Sequence, residues 1–459
     1  MPPEGCGVIM TDSLKCLRPI YPYRDDDGPR CLMHSSDPGK SPADFHKEIT
    51  SILSRGSKQH HRYTNSFEFY KFVFPTSQYF NGCKFEQQAD FRSVTFIEGA
   101  TFTSAEFFKG ANFTRAKFFK AANFRGAEFG SKSNKAERIN SAANFGETEF
   151  IEGADFSETK FSGVAYFEET KFVNGGGNFF KARFDMDAVF RKAIFQKAVD
   201  FVEAQSLSVI DFSNASFIQV AEVRFFRMNQ KSTSGLRARF LNCNVEGVQF
   251  DAVHWHQHKG RMVLQDELDT FERPQIAPSY EEVAITYRRL IANFEKRRAY
   301  DLVQDCTIGE FEMKRRNPDR FLFAKLLKLD YECCPFLRAI GERASIVGIY
   351  HLASLYGTSY QRAMAVLGIL LLVFGLCFST IVDIRLAPTL DGISICTQSN
   401  TLEKLWSGAF HALEVATLQR TWLYESVSFK GRIVEILEQV LVAGQAALLL
   451  FSLRRRFHR

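Results

Sequence analysis

Paired cysteines, a strong net charge and catalytic signatures are all scarce in this sequence. Its ten cysteines are spread singly or in small groups over 459 residues. That is too thin for the stapled scaffold of a small secreted domain, and a reducing compartment is expected. Lys and Arg number 58 against 52 Asp and Glu, a formal net charge of +6, so charge makes no case for a nucleic-acid binder. The opening MPPEGCGVIMTDSLKCLRP contains no apolar core of signal-peptide length. The chain beyond it is expected to stay cytosolic until a membrane span is reached. No nucleophile–base set, metal-hydrolase motif or phosphate-binding glycine loop occurs, and the expectation is a non-enzyme.

Phenylalanine is in excess: 47 residues, against 14 Tyr and 3 Trp. Its spacing is regular. Phe80, Phe85, Phe91, Phe96, Phe102, Phe107, Phe113, Phe118, Phe124 and Phe129 advance by five and six residues in alternation. Neither the 3.6-residue period of a helix nor the two-residue period of a strand produces this. Cut at eleven residues, the units align as ADFRSVTFIEG, ATFTSAEFFKG and ANFTRAKFFKA, and resume as ADFSETKFSGV, AYFEETKFVNG, AVFRKAIFQKA and IDFSNASFIQV. A small residue lies two before most of the phenylalanines, on the same side of an extended segment. Later the step becomes a plain five at Phe240, Val245, Phe250 and Trp255.

These units resemble the pentapeptide-repeat family in an eleven-residue variant, over roughly residues 67–257. The resemblance implies a right-handed quadrilateral β-helix with both the aromatic and the small residue pointing inward. Four short faces per coil need one large inward side chain each, and stacked rings would form internal ladders. Some eight coils would rise about 40 Å at strand spacing. Two interruptions break the pattern. GSKSNKAERINS, residues 130–141, reads as a looped-out insertion, and NGGG, Asn174 to Gly177, reads as a flexible corner. Residues 41–56 read as an amphipathic helix with Ser41 at its N-cap, placed to cover the solenoid's first edge.

Ahead of that helix, Cys6, Cys16, Cys31 and His34 make four candidate zinc ligands. Cys31-x-x-His34 has ligand spacing, whereas nine residues separate Cys6 from Cys16, so a loose segment with free thiols is the competing reading. Cys-x-x-His followed by an acidic, proline-containing loop is also similar to membrane-anchored pentapeptide-repeat proteins. Beyond the repeats, Ser279 and Glu282 form a capping box, and Val283, Tyr287, Leu290, Ile291 and Phe294 share one helical face. A second helix over 300–316 places Leu302, Cys306, Gly309 and Met313 at the same spacing, where the small residues would allow a close helix pair.

Residues 363–382 are twenty uncharged, mostly apolar residues, enough to cross about 30 Å of hydrocarbon. Residues 433–453 are a second candidate span, with an interfacial helix as its alternative. Arg362 precedes the first, and Arg454, Arg455, Arg456 and Arg459 follow the second. The positive-inside bias therefore puts both ends in the cytoplasm and 383–432 outside. The expected localisation is the inner (plasma) membrane. Between the spans, Trp406 to Thr417 resembles the re-entrant pore helix of the potassium-channel superfamily. The filter pattern is missing: Thr417 and Leu418 are followed by Gln419 and Arg420 instead of the glycine-rich turn whose carbonyls line such a pore, so potassium selectivity is rejected. Glu438, Gln445 and Ser452 recur every seven residues near one face of the second span, with Glu435 one turn before.

The expected organisation is therefore multi-domain. Residues 1–60 form a Cys/His segment and capping helix, 61–258 a β-helix, 259–361 a helical hairpin linker, and 362–459 a two-span transmembrane hairpin. The expected function is a non-enzymatic, membrane-anchored interaction scaffold, with membrane lipid, a second copy of the chain and an unidentified protein on the β-helix surface as partners, and no nucleic acid. An oligomeric channel-like transporter is the alternative. A DNA mimic binding topoisomerase ranks behind both, because charges along 66–257 nearly cancel.

Overall fold

The computed structural model describes residues 6–10, 16, 18–25, 28–37, 39–55, 66–130, 141–218, 222–230, 232–273, 278–318, 335–380, 384–386, 401–417, 424–426 and 428–457. They fall into two compact units, residues 1–306 and 307–459.

From Ser66–Glu68 to Gln249–Asp251 the chain lays down strands of two to four residues. Each pairs in parallel with the equivalent strand one coil away. The result is four sheets of six, seven, eight and eight strands, a four-faced β-solenoid of about eight turns. One coil shows the pattern: Ala111–Asn112, Lys117–Phe118, Ala122–Asn123 and Glu128–Phe129 each supply one face. Phe113, Phe118, Phe124 and Phe129 are wholly buried, as are Ala116 and Ala127, with Ala111 and Ala122 beside them.

The rings stack coil on coil. Phe91 lies 4.7 Å from Phe113 at 2°, and Phe102 lies 4.8 Å from Phe124 at 1°. Neighbouring ladders meet edge to face, as Phe113 and Phe124 do at 5.5 Å and 83°. Both geometries suit the ring quadrupole.

Two kinds of corner explain the alternating step. After Phe113, Ala116 N donates to Phe113 O at 2.9 Å and Arg115 sits at φ +60°, a tight type II turn that reaches the next Phe in five residues. Ser93, Ser104, Glu147, Glu158 and Glu169 hold the same left-handed place. The six-residue corners are wider, and between Phe80 and Phe217 they carry a positive φ only at glycines such as Gly110 and Gly153.

The insertion leaves this register untouched. Stacked partners 22 residues apart before it (Phe107 and Phe129, 4.7 Å) become 32 apart across it (Phe113 and Phe145, 5.0 Å at 2°). Residues 131–140 themselves lie outside the described residues. The NGGG corner differs from the expectation of flexibility. A Cβ at Gly175 would stand 1.8 Å from Glu152 O, and one at Gly176 would stand 2.0 Å from Ala198 O. These glycines are there because adjacent coils press together, and the added residue is absorbed by close packing.

Both ends of the solenoid are covered. Helix α1, Pro42–Arg55, has Asp44 N donating to Ser41 Oγ at 3.3 Å and sets Phe45 edge-on to Phe74 at 5.2 Å. At the other end lie α2 (Gln265–Glu272), α3 (Tyr280–Lys296) and the start of α4 (Tyr300–Arg316). The Ser279–Glu282 capping box forms as expected. Phe294 of α3 closes on Phe250 and Trp255, and Asn293 Nδ2 donates to the carbonyls of Val245, Glu246 and Val248. The last coil thus hands its free carbonyls to a side chain instead of to another strand. Cys306 serves a contact other than the expected helix pair: its Sγ lies 3.8 Å from Met262 Sδ.

In the C-terminal unit, α5 (Pro335–Ala344) and α6 (Ile346–Ser354) lead into α7 (Tyr360–Thr380); α8 (Thr401–Ala416) and α9 (Phe429–Phe457) follow. Helices α7, α8 and α9 pack together. A short antiparallel pair, Ile384–Leu386 with Tyr424–Ser426, closes the segment around α8, which no sequence pattern announced. Glu312 organises the approach to α7: it accepts from Tyr356 Oη at 2.8 Å and from Arg315 at 2.8 Å. Burial opposes its ionisation, but Arg315, Tyr356 and Arg316 together outweigh burial and hold the carboxyl at about 2.

Candidate functional site

The first candidate site is the Cys/His group at the solenoid's N-terminal end. The nine-residue gap between Cys6 and Cys16 is bridged by backbone bonds, with Cys16 N donating to Val8 O at 2.8 Å and Gly7 N to Pro29 O at 2.9 Å. The hairpin Ile20–Asp25 with Gly28–Cys31 then returns the chain, and the turn after Cys31 (His34 N to Cys31 O, 3.0 Å) delivers His34. All four residues are buried, and their ligand atoms lie within 4.8 Å of one another.

His34 Nδ1 is 3.4 Å from Cys6 Sγ and 3.2 Å from Cys31 Sγ. A tetrahedral centre with ordinary metal–sulfur and metal–nitrogen bonds has a sulfur-to-nitrogen edge of about 3.6 Å, so the spacing needs only slight expansion. The other ring nitrogen, Nε2, donates to Tyr70 O at 3.0 Å. In the neutral ring that ligation requires, that bond leaves the Nδ1 lone pair facing the sulfurs. The thiols already share their protons unequally. Contact with Cys16, then with Cys31, pulls Cys6 down; Cys31 pulls Cys16 down; Cys16 and Cys6 drive Cys31 up. Three thiolates and one imidazole, closed off from solvent, could hold a metal ion in a closed structural site.

This group is built into the end of the core. His34 stands edge-on to Phe72 at 5.3 Å. Lys40, which sequence reasoning missed, is buried with its ammonium donating to Leu32 O, Ser35 O and Val73 O at 3.2, 2.6 and 2.6 Å. Two of its acceptors, Leu32 and Ser35, lie in the turn just before it, but the contact that seals it, Val73 O, comes from the first coil and leaves no local signal.

The second candidate site lies among α7, α8 and α9. Glu438, Gln445 and Ser452 all face inward and are buried. Gln445 Nε2 donates to Ala353 O and Ala363 O, 2.8 Å each, and ties α9 to the ends of α6 and α7. Both carboxylate oxygens of Glu438 are buried without a hydrogen-bond partner. Glu435 reaches across to His411 of α8, with Oε1 3.0 Å from Nε2. His411 and Glu414, both buried, are further residues the sequence reading missed. Their spacing with Gly408 on one face of α8 was the available signal. Of the expected pore-loop residues, Thr417 ends α8 with its hydroxyl donating to Leu413 O and Glu414 O; Leu418, Gln419 and Arg420 lie outside the described residues.

Among the described residues, two helices are long and apolar enough to cross a membrane, Tyr360–Thr380 and Phe429–Arg455, with mean hydropathy 2.4 and 1.8. Only 17% and 22% of those apolar stretches are buried. The core helix of a water-soluble protein would bury most of its length.

Comparison with known families gives one match, to pentapeptide repeats, in nine copies over residues 80–130 and 156–205. No significant match was found among curated proteins or solved structures. The two matched stretches flank the insertion and coincide with the stacked coils, so the chain carries a pentapeptide-repeat β-solenoid, followed by helices of which two could span a membrane.

Proposed function

We propose that this protein is a non-enzymatic interaction scaffold held at a membrane, its solenoid presented on the cytoplasmic side by the two-span module α7–α9. The observation that carries the reading is the outward face of those helices. Leu372, Val440 and Leu450 are 70%, 66% and 67% exposed, an arrangement that suits lipid and not water. The solenoid, capped at both ends by its own chain, offers its sides as docking surface. Arginines at 362 and 454–456 support cytoplasmic termini through the positive-inside bias. A second copy of the chain and a protein on the coil faces are the partners this reading expects.

Zinc at Cys6, Cys16, Cys31 and His34 belongs to the same reading. The donor set and the fixed His34 tautomer suit it. When bound, it would cross-link the N-terminal segment to the capped end of the solenoid.

Alkaline carbonate extraction of membranes from cells expressing the full chain tests the anchor. The chain is expected to stay in the pellet and to require detergent for release. Recovery in the carbonate supernatant would remove the membrane reading. The channel-like alternative draws on the packing of α8 against both candidate spans. Planar-bilayer recordings on verified oligomers address it, with conductance favouring the pore and silence leaving the anchor.

A further inference from the structure

Glu414, His411 and Glu435 form a chain of acid, imidazole and acid that joins α8 to α9. His411 Nε2 lies 3.0 Å from Glu435 Oε1, and His411 Nδ1 lies 3.7 Å from Glu414 Oε2. Glu438 sits one helical turn beyond Glu435 on the same helix. His411 and Glu414 are 4% and 7% exposed, and Glu438 is wholly enclosed. Within this cluster His411 Nδ1, Glu414 Oε1 and both oxygens of Glu438 are buried without a hydrogen-bond partner.

Glu435 is partly exposed, but Glu414 and Glu438 are enclosed beside it, and ionised carboxylates in such a setting call for cations or protons to neutralise them. Among the described residues, the packed helices supply no fixed cation for this. On α7, between Arg362 and Thr380, the sole titratable group is the Cys377 thiol. Arg362 itself donates to His351 O, at the start of the helix. On α8 the other described basic residue is Lys404, two turns before His411. On α9, Lys430 and Arg432 are exposed near its start, and the next basic residue is Arg454. Tyr424, from the strand pair, gives only its backbone N–H to Glu414, at 3.4 Å. A bound metal fits poorly: among the described residues, the ligand atoms that converge on one point are those of the Cys/His group at the other end of the chain.

We propose that Glu414, His411, Glu435 and Glu438 form a proton-binding site between α8 and α9, in which a bound proton neutralises a buried carboxylate that has no hydrogen-bond partner. Each proton taken up neutralises one carboxylate or charges the imidazole, and release restores it; no other reactant is needed. The proposal rests on the membrane reading only for the surroundings of the helices, since the burial of these groups comes from the protein itself.

A hydrophobic carbodiimide tests it on the unaltered full chain in detergent, because this reagent modifies carboxyls that carry a proton in an apolar setting. Modified peptides are located by mass spectrometry over a pH series. Labelling is expected within the cluster, foremost at Glu438, whose two oxygens are buried without a partner, and is expected to fall as pH rises. Absence of labelling at all three across the series would overturn the proposal. So would labelling that does not change with pH. As a second measure, pH-difference infrared spectra should show a carboxylic-acid C=O band that Glu438→Gln diminishes. The comparison is made in an Asp266→Asn background, so that a buried acid of the solenoid cap does not contribute. A band unchanged by the substitution counts against the site. Neither readout depends on carbonate extraction, so failure of the anchor and failure of the proton site are told apart.

Discussion

Phe145 stacks on Phe113 and on Phe167, 5.0 Å each, and meets Phe124 and Phe156 edge-on at 5.3 and 5.2 Å. Each inward ring is thus shared by three coils, and a gap at one level removes contacts from its neighbours. Phe145→Ala is expected to cost about 3–5 kcal/mol, read as faster amide exchange centred on residues 113–167 with the far coils less affected. The buried acid Asp266 behaves differently. Burial pushes its carboxyl up to about 7, although Phe240 N–H donates to it at 2.9 Å and its other oxygen has no partner. An acid whose folded value is raised contributes its full stability below the unfolded value near 3.8 and loses it as pH rises through about 7. Asp266→Asn keeps an acceptor for Phe240 N–H and removes the charge. It should be near neutral at pH 4 and stabilising at pH 8, on the order of 3 kcal/mol. Denaturant midpoints followed at the C-terminal cap check this; equal midpoint shifts at both pH values would contradict the assignment.

Whole elements respond to different changes. Because the Phe113–Phe145 stack bridges the insertion without distortion, deleting residues 131–140 should leave exchange protection on both flanking coils unchanged, for shortening the chain between them alters closure entropy only slightly. Loss of protection at Phe129 or Phe145 would show that the insertion props up the coils. The N-terminal cap should be the opposite case. Removing the proposed zinc with a chelator, or replacing His34 with Ala, is expected to free the described amides between residues 6 and 37. Coils from Phe91 onward should stay protected, since their rings touch one another and not the cluster. Metal content measured beside the exchange data checks the cause. Unchanged protection after verified zinc loss would make the hydrogen bonds of Lys40 and His34 the sufficient staple.

Across the solenoid as a whole, outward charges pair from coil to coil. Arg115 meets Glu147 at 2.9 Å, Lys120 meets Glu152 at 2.8 Å, Arg125 meets Glu158 at 2.9 Å, and Glu149 sits between Lys117 and Lys171. These exposed pairs add little stability, but each sets a basic side chain against an acidic one, where a DNA-backbone mimic needs its acidic groups unneutralised. The full chain is therefore expected to leave topoisomerase supercoiling activity unchanged at any concentration it reaches in detergent. Inhibition in that assay would restore the DNA-mimic reading.

The repeat was legible in the sequence because its cause is local. A five- or six-residue corner brings each Phe back to the inside, and one coil repeats the problem of the last. The same holds for the Ser279–Glu282 cap and for the two apolar helices, whose signals lie within one turn or one span. The alternation itself could be counted but not explained, since the left-handed residue at Arg115 and its equivalents is visible only in the folded backbone. The NGGG corner misled because glycine signals freedom in a sequence, whereas here it marks coils too close for a Cβ. Lys40, His411 and Glu414 carry only a weak local signal: the contacts that complete their burial, Val73 for Lys40 and Glu435 for His411, lie far along the chain, and burial is a property of what packs around a residue. Local chemistry settled the ladders and caps of this protein; the meeting of Cys6 with His34, and of His411 with Glu435, required the chain to close over long separations that no short motif records.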